Sequence, residues 1–125
     1  MRRLAFLVCG LFVASSIATA LATSRPTIKR TWAWNVTGTT AGATVEYTDF
    51  GLSAHTWFEY STNSTMAGAK RTPEIAHLAV GVLNAFHGRL DGLQPATTYY
   101  FRAYVRTAAG TASSAIGTFT TAPGR

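Results

Sequence analysis

The chain has 125 residues, 47% of them hydrophobic, with 11 Lys and Arg against 5 Asp and Glu and a single cysteine. That length suffices for one independent domain and excludes two, and one cysteine excludes an internal disulfide framework. The basic residues never run longer than two in a row, which favours anionic surfaces in general and lacks the dense stripe of a nucleic-acid binder.

The first residues read as an export signal. Arg2 and Arg3 form a basic n-region, residues 4–14 an apolar core, and Ala20-Leu21-Ala22 a small-x-small cleavage site. Cleavage after Ala22 makes Thr23 the first residue of a secreted, periplasmic or surface-displayed protein and removes Cys9. Three rival readings are weaker. A membrane anchor over residues 4–22 is barely long enough and is interrupted by Ser15, Ser16 and Thr19. A twin-arginine signal fits poorly with so short an n-region, and a lipoprotein signal would place a small residue before Cys9, where Val8 stands. The processed chain then has no membrane span and no cysteine, and its fold relies on its core.

From residue 28 onward Thr, Val, Tyr, Trp and Phe dominate, punctuated by glycine about every ten residues. Many short strands between regular turn signals predict an all-β sandwich or barrel. Residues 23–27 form a flexible lead-in, residues 30–37 a first strand, and Gly38-Thr39-Thr40 a turn. A second strand covers residues 43–48, and Asp49-Phe50-Gly51 turns the chain. A third covers residues 56–61, with Phe58 inward and Trp57 and Glu59 outward. Residues 61–71 are a polar loop with room for a short edge strand.

Two readings compete over residues 75–83. Thr72-Pro73-Glu74 is a helix-start signal, and Ile75, Leu78, Ala79, Val82, Leu83 and Phe86 fall at helical spacing. Val80 and Gly81 weaken a helix, and a sandwich needs a strand before Gly92. The extended reading is preferred, with residues 86–91 as a strand.

The run after Gly92 carries the clearest pattern. Tyr99, Phe101, Ala103 and Val105 alternate with Tyr100, Arg102, Tyr104 and Arg106, the period-2 mark of a half-buried strand. Residues 107–110 make a hairpin tip, and residues 111–121 a closing strand anchored by Phe119. Ala122-Pro123-Gly124-Arg125 leads out of a domain bounded at residues 28–123, with residues 124–125 as exit linker.

Leu93-x-Pro95-x-Thr97-x-Tyr99-x-Phe101 followed by Ala109-Gly110 and Phe119-Thr120-Thr121 resembles the closing half of a fibronectin type III domain. Asp49-Phe50-Gly51-Leu52-Ser53 leading into Trp57-Phe58-Glu59-Tyr60 resembles the bacterial secreted versions. The resemblance implies an immunoglobulin-like seven-strand Greek-key sandwich, a spacer or binding module in use, with Leu93, Pro95 and Tyr99 as its tyrosine corner. It carries over no catalytic residue. The core tryptophan of the animal version's second strand is missing, Trp32 and Trp34 standing in the strand before, and Arg-Gly-Asp is absent.

Nothing in the chain is spaced for chemistry. His55, His77 and His87 are 22 and 10 residues apart, too far for one helical turn or one short strand face. Gly51-Leu52-Ser53-Ala54-His55 lacks the final glycine and the strand-to-helix context of a nucleophile elbow, and the five carboxylates stand singly. No cofactor, metal or nucleic acid is expected. Asn35-Val36-Thr37 and Asn63-Ser64-Thr65 match the glycosylation acceptor pattern, which matters only in a glycosylating host, whereas the excess of Arg over Lys points to a GC-rich bacterial gene.

Binding is the better expectation. Alternation sends Tyr100, Arg102, Tyr104 and Arg106 outward, and pairing with the third strand would bring Trp57 beside them, with Glu59 as an internal partner for Arg102. Aromatic and arginine side chains of this kind suit an anionic glycan, an envelope polymer or an acidic protein patch. The alternatives are cross-strand pairing that merely stabilises the sheet, and an accessory or truncated domain of a secreted glycan-degrading enzyme.

Overall fold

The computed structural model describes residues 24–124. The export signal, Cys9, the cleavage after Ala22 and Arg125 lie outside the described residues. Among the described residues there are nine strands: β1 (Thr27–Trp34), β2 (Ala41–Thr48), β3 (Ala54–Ser61), β4 (Lys70–Arg71), β5 (Ile75–His77), β6 (Asn84–Leu90), β7 (Thr98–Thr107), β8 (Gly110–Ser113) and β9 (Gly117–Thr120). They form two antiparallel sheets, β1-β2-β6 and β4-β3-β7-β8, with β5 also on β3 and β9 also on β7. The two short pairs each act as one interrupted strand, so the nine segments fill seven positions of a sandwich.

The alternation along β7 is realised in full: every second residue from Tyr99 to Thr107 is buried. Val45 and Tyr47 of β2, Phe58 of β3, Leu90 of β6, and Phe101, Ala103 and Val105 of β7 are each at most 1% exposed. They fill the space between the layers. Phe58 stacks on Phe86 at 6.0 Å, and a Cβ at Gly88 would stand 2.7 Å from the Phe58 ring, so glycine alone admits it there.

Tyr99 is buried, and its hydroxyl accepts a 2.8 Å bond from the Gln94 N–H. Leu93, also buried, donates its own N–H to the Thr39 carbonyl at 2.9 Å, which ties this corner to the β1–β2 turn. Thr121 Oγ1 donates to the Gln94 carbonyl at 2.6 Å and accepts from Thr97 N–H at 2.9 Å. Tyr99→Phe is expected to cost about 1–2 kcal/mol, because it orphans the Gln94 N–H while leaving the ring in place. Urea unfolding of wild type and variant checks this.

Two expectations are corrected. The first strand begins at Thr27 and ends at Trp34, not over residues 30–37. Asn35 turns into the left-handed region with φ 49°, and Thr37 Oγ1 accepts the Thr40 N–H at 2.9 Å to close the turn. The closing strand is two strands. Ser114 leaves the ladder and clasps Ala103 instead, its N–H donating to the Ala103 carbonyl and its Oγ accepting the Ala103 N–H, both at 2.9 Å. Near the end of the domain, Ala122 donates to the Thr37 carbonyl and accepts from Ala96 N–H, both at 3.0 Å.

The disputed segment is extended over β5 and then irregular. Thr72, read as a helix cap, exchanges bonds with Phe58, accepting its N–H on Oγ1 and donating its own N–H to its carbonyl, each at 2.9 Å. The apolar residues at helical spacing do not bury a common face, for Leu78 is 86% and Val82 63% exposed. What positions them is Asp49, fully buried at the end of β2. Its Oδ1 accepts from Gly51 at 2.9 Å and Gly81 at 2.8 Å, and its Oδ2 from Val80 at 2.8 Å.

Candidate functional site

The outer face of the larger sheet gathers the residues singled out from the sequence. In the β3–β7 ladder His55 lies opposite Arg106, Trp57 opposite Tyr104, Glu59 opposite Arg102 and Ser61 opposite Tyr100. Arg71 of β4 continues the row on the far side of Glu59. Alternation on three neighbouring strands therefore builds one surface of three arginines, two tyrosines and a tryptophan.

Trp57 is on this face, yet it offers no open ring, being only 6% exposed. Tyr104 stacks parallel to it at 5.2 Å and 3°, and the Arg71 and Arg106 guanidinium carbons lie 4.2 and 5.3 Å from its ring centroid. It is a base plate that holds cations in position. Both arginines are braced by Glu74, which pairs with Arg71 and receives Arg106 Nη2 at 2.6 Å and Nη1 at 3.1 Å. The Arg106 hydrogen bond is the chief reason the Glu74 carboxyl sits below its ordinary range, partial desolvation opposing it.

Arg102 is different. Its guanidinium carbon lies 5.5 Å from the Tyr104 ring centroid, and among the described residues no carboxylate is within ion-pairing distance of it. The expected partner Glu59 is its cross-strand neighbour but not its ion pair. Among the described residues, Arg102 Nε and Trp57 Nε1 are buried donors without a hydrogen-bond partner. Burial first, then the nearby Glu59 charge, pushes the Tyr104 phenol up, so it stays a neutral hydroxyl.

Sequence reasoning missed Arg71 and Glu74. Both flank the Thr72-Pro73 pair that reads as a helix start. The available signal was the proline itself, which is equally at home in an interrupted edge strand.

The three histidines are dispersed. His77 Nε2 bonds Thr56 Oγ1 at 2.7 Å inside the sandwich edge, where burial holds its pKa down. His87 Nδ1 bonds Thr44 Oγ1 at 2.8 Å on the smaller sheet, and His55 belongs to the face just described. Among the described residues no three His, Cys, Asp or Glu side chains converge as metal ligands would. The Asn35 and Asn63 side chains are exposed, and Asn63 Oδ1 already accepts Thr65 N–H at 2.9 Å and its hydroxyl at 2.7 Å.

Comparison with solved structures agrees with this architecture. The chain is similar to the sensor domain of the anti-sigma factor RsgI4 in Pseudobacteroides cellulosolvens, at 24% identity and TM-score 0.58 over 78% of this chain and 93% of that one. A computer-redesigned β-sandwich protein matches at 20% identity and TM-score 0.56 over 77% and 94%. The fibronectin type III domain of human fibronectin type III domain containing protein 3 matches at 19% identity and TM-score 0.50 over 82% and 88%. No family model matches the chain, and no curated protein does. The fold is a fibronectin type III-like sandwich.

Proposed function

We propose that the protein is a non-catalytic recognition module acting outside the cytoplasm, and that the outer β3–β7 face receives a carboxylate-bearing glycan. The observation that carries the reading is Arg102, a guanidinium on a flat sheet face that among the described residues has no carboxylate of its own, its Nε desolvated and unpaired there. Arg71 and Arg106 flank it, spread on Trp57 and braced by Glu74. Planar guanidinium forks on a prearranged surface suit carboxylates spaced along a polymer, and little side-chain entropy is left to lose on binding. The likeness to a sensor domain supports recognition as the activity of the fold. The export signal read from Arg2 to Ala22 supports an envelope or extracellular setting.

Retention on immobilised polygalacturonate tests this. Wild type is expected to bind, to weaken as NaCl rises from about 50 to about 500 mM, and to lose roughly tenfold in affinity on Arg102→Ala, the scale of one charge-assisted bond. Equal retention of a folded Arg102→Ala variant would remove this face as the site.

A further inference from the structure

On the opposite sheet the geometry points to a second binding site, a stacking shelf for a pyranose ring of a neutral polysaccharide, formed by Trp34 lying on Gly42. This inference is independent of the arginine-bearing β3–β7 face and uses none of its residues. A Cβ built on Gly42 would stand 2.5, 2.7 and 2.7 Å from Trp34 Cε2, Cδ2 and Cζ2. Three nearly equal distances to atoms of the fused ring mean that the indole lies face down on the glycine. Any other residue at position 42 would lift it.

The ring is also fixed in its own plane. Its Nε1–H donates to Thr44 Oγ1 at 2.8 Å, and Thr44 is joined in turn to His87 Nδ1 at 2.8 Å. Thr44 Oγ1 thus links the two rings, accepting the indole proton and sharing one proton with His87 Nδ1. His87 stands edge-on to Trp34 at 6.3 Å and 84°, a wall beside the shelf. With its polar atom satisfied inward and one face on backbone, Trp34 is still 42% exposed. This is a rigid aromatic surface with little rotamer freedom to lose.

The surroundings select the ligand class. The cleft beside the ring, about 240 Å³, is lined by Asn35, Thr40 and Arg89, smaller than the 300–1,000 Å³ of pockets that engulf a ligand. A single flat ring seated on a shelf with hydroxyl partners at the rim fits it. The partially positive C–H edges of a pyranose meet the negative face of the indole. Both arginines of this surface are already neutralised, Arg30 by Glu46 and Arg89 by Asp91, each at 2.7 Å. Arg30 also covers Trp32 at 4.6 Å from its ring, which leaves Trp34 as the available platform. A neutral sugar is therefore favoured over an acidic one or a phosphate.

Affinity electrophoresis in gels containing hydroxyethylcellulose, xylan or galactomannan tests the proposal. Wild type is expected to be retarded by at least one of the three. Trp34→Ala should lower that affinity at least about tenfold, and Thr44→Val, which frees the indole without removing it, severalfold. Retention of Trp34→Ala on polygalacturonate should be unchanged, which separates this site from the arginine-bearing face. No retardation in any of the three gels, or retardation equal in wild type and a folded Trp34→Ala, would overturn the inference.

Discussion

Phe101→Ala is expected to lower the unfolding free energy by roughly 3–5 kcal/mol, the largest effect of any substitution considered. Phe101 is 1% exposed at the centre of β7. It packs against Phe119 at 5.8 Å, and a Cβ at Gly117 would stand 2.7 Å from its ring, so β9 is seated directly on it. Truncation loses the transfer free energy of the ring and leaves a cavity that rigid strands on both sides cannot collapse into. Urea unfolding monitored by tryptophan fluorescence should show the midpoint falling with little change in slope. A loss below about 1 kcal/mol would mean that the inward set on β7 is wrong, and the outward arginines with it.

Asp49→Ala is the second large effect, expected at about 2–4 kcal/mol. The substitution orphans the N–H groups of Gly51, Val80 and Gly81 at once. Residues 78–83 then lose what holds them against the β2–β3 turn, and proteolysis of that segment should accelerate ahead of global unfolding. The pH dependence follows from the same bonds. Burial would raise the Asp49 pKa, but the backbone N–H donors outweigh it and hold it below the ordinary 3.8. A carboxylate depressed in the folded state contributes stability that is present above its unfolded pKa and lost as pH falls through the folded value. Wild type should therefore lose stability below about pH 4, and Asp49→Asn should flatten that part of the profile.

Much of the fold was legible because its pattern is local. Strict alternation from Tyr99 to Arg106 is enough to orient β7, and the spacing of Leu93, Pro95 and Tyr99 marks the corner before it. What escaped depends on contacts between distant residues. The break at Ser114 is decided by its bonds to Ala103, and a continuous period-2 pattern does not announce it. Residues 75–83 read ambiguously because Ile75–His77 pair with distant β3 while Asp49, more than thirty positions before Val80 and Gly81, takes the N–H bonds of those two and the apolar side chains of residues 78–83 stay outside.

The outer faces divide in the same way. Alternation places Tyr100, Arg102, Tyr104 and Arg106 on one side of the sheet, and pairing of β3 with β7 brings Trp57 beside them. It does not say that Trp57 is covered, because Arg71 and Glu74 come from an edge strand interrupted by Pro73. Conversely, Trp34 drew no attention in the sequence beyond its departure from the animal pattern. Its availability depends on Gly42 beneath it across the ladder, on the Thr44–His87 pair at its edge, and on two ion pairs that neutralise its surroundings.

The central claim is that this sandwich recognises glycans through its sheet faces, and a crossed binding measurement tests it most directly. Wild type, Arg102→Ala and Trp34→Ala, each first shown to be folded by unfolding midpoint, would be compared on polygalacturonate and on the neutral glycan that retards wild type most. The account predicts a crossed result, in which Arg102→Ala loses the acidic polymer alone and Trp34→Ala the neutral one alone. Wild-type binding to either polymer that survives both substitutions unchanged would contradict it.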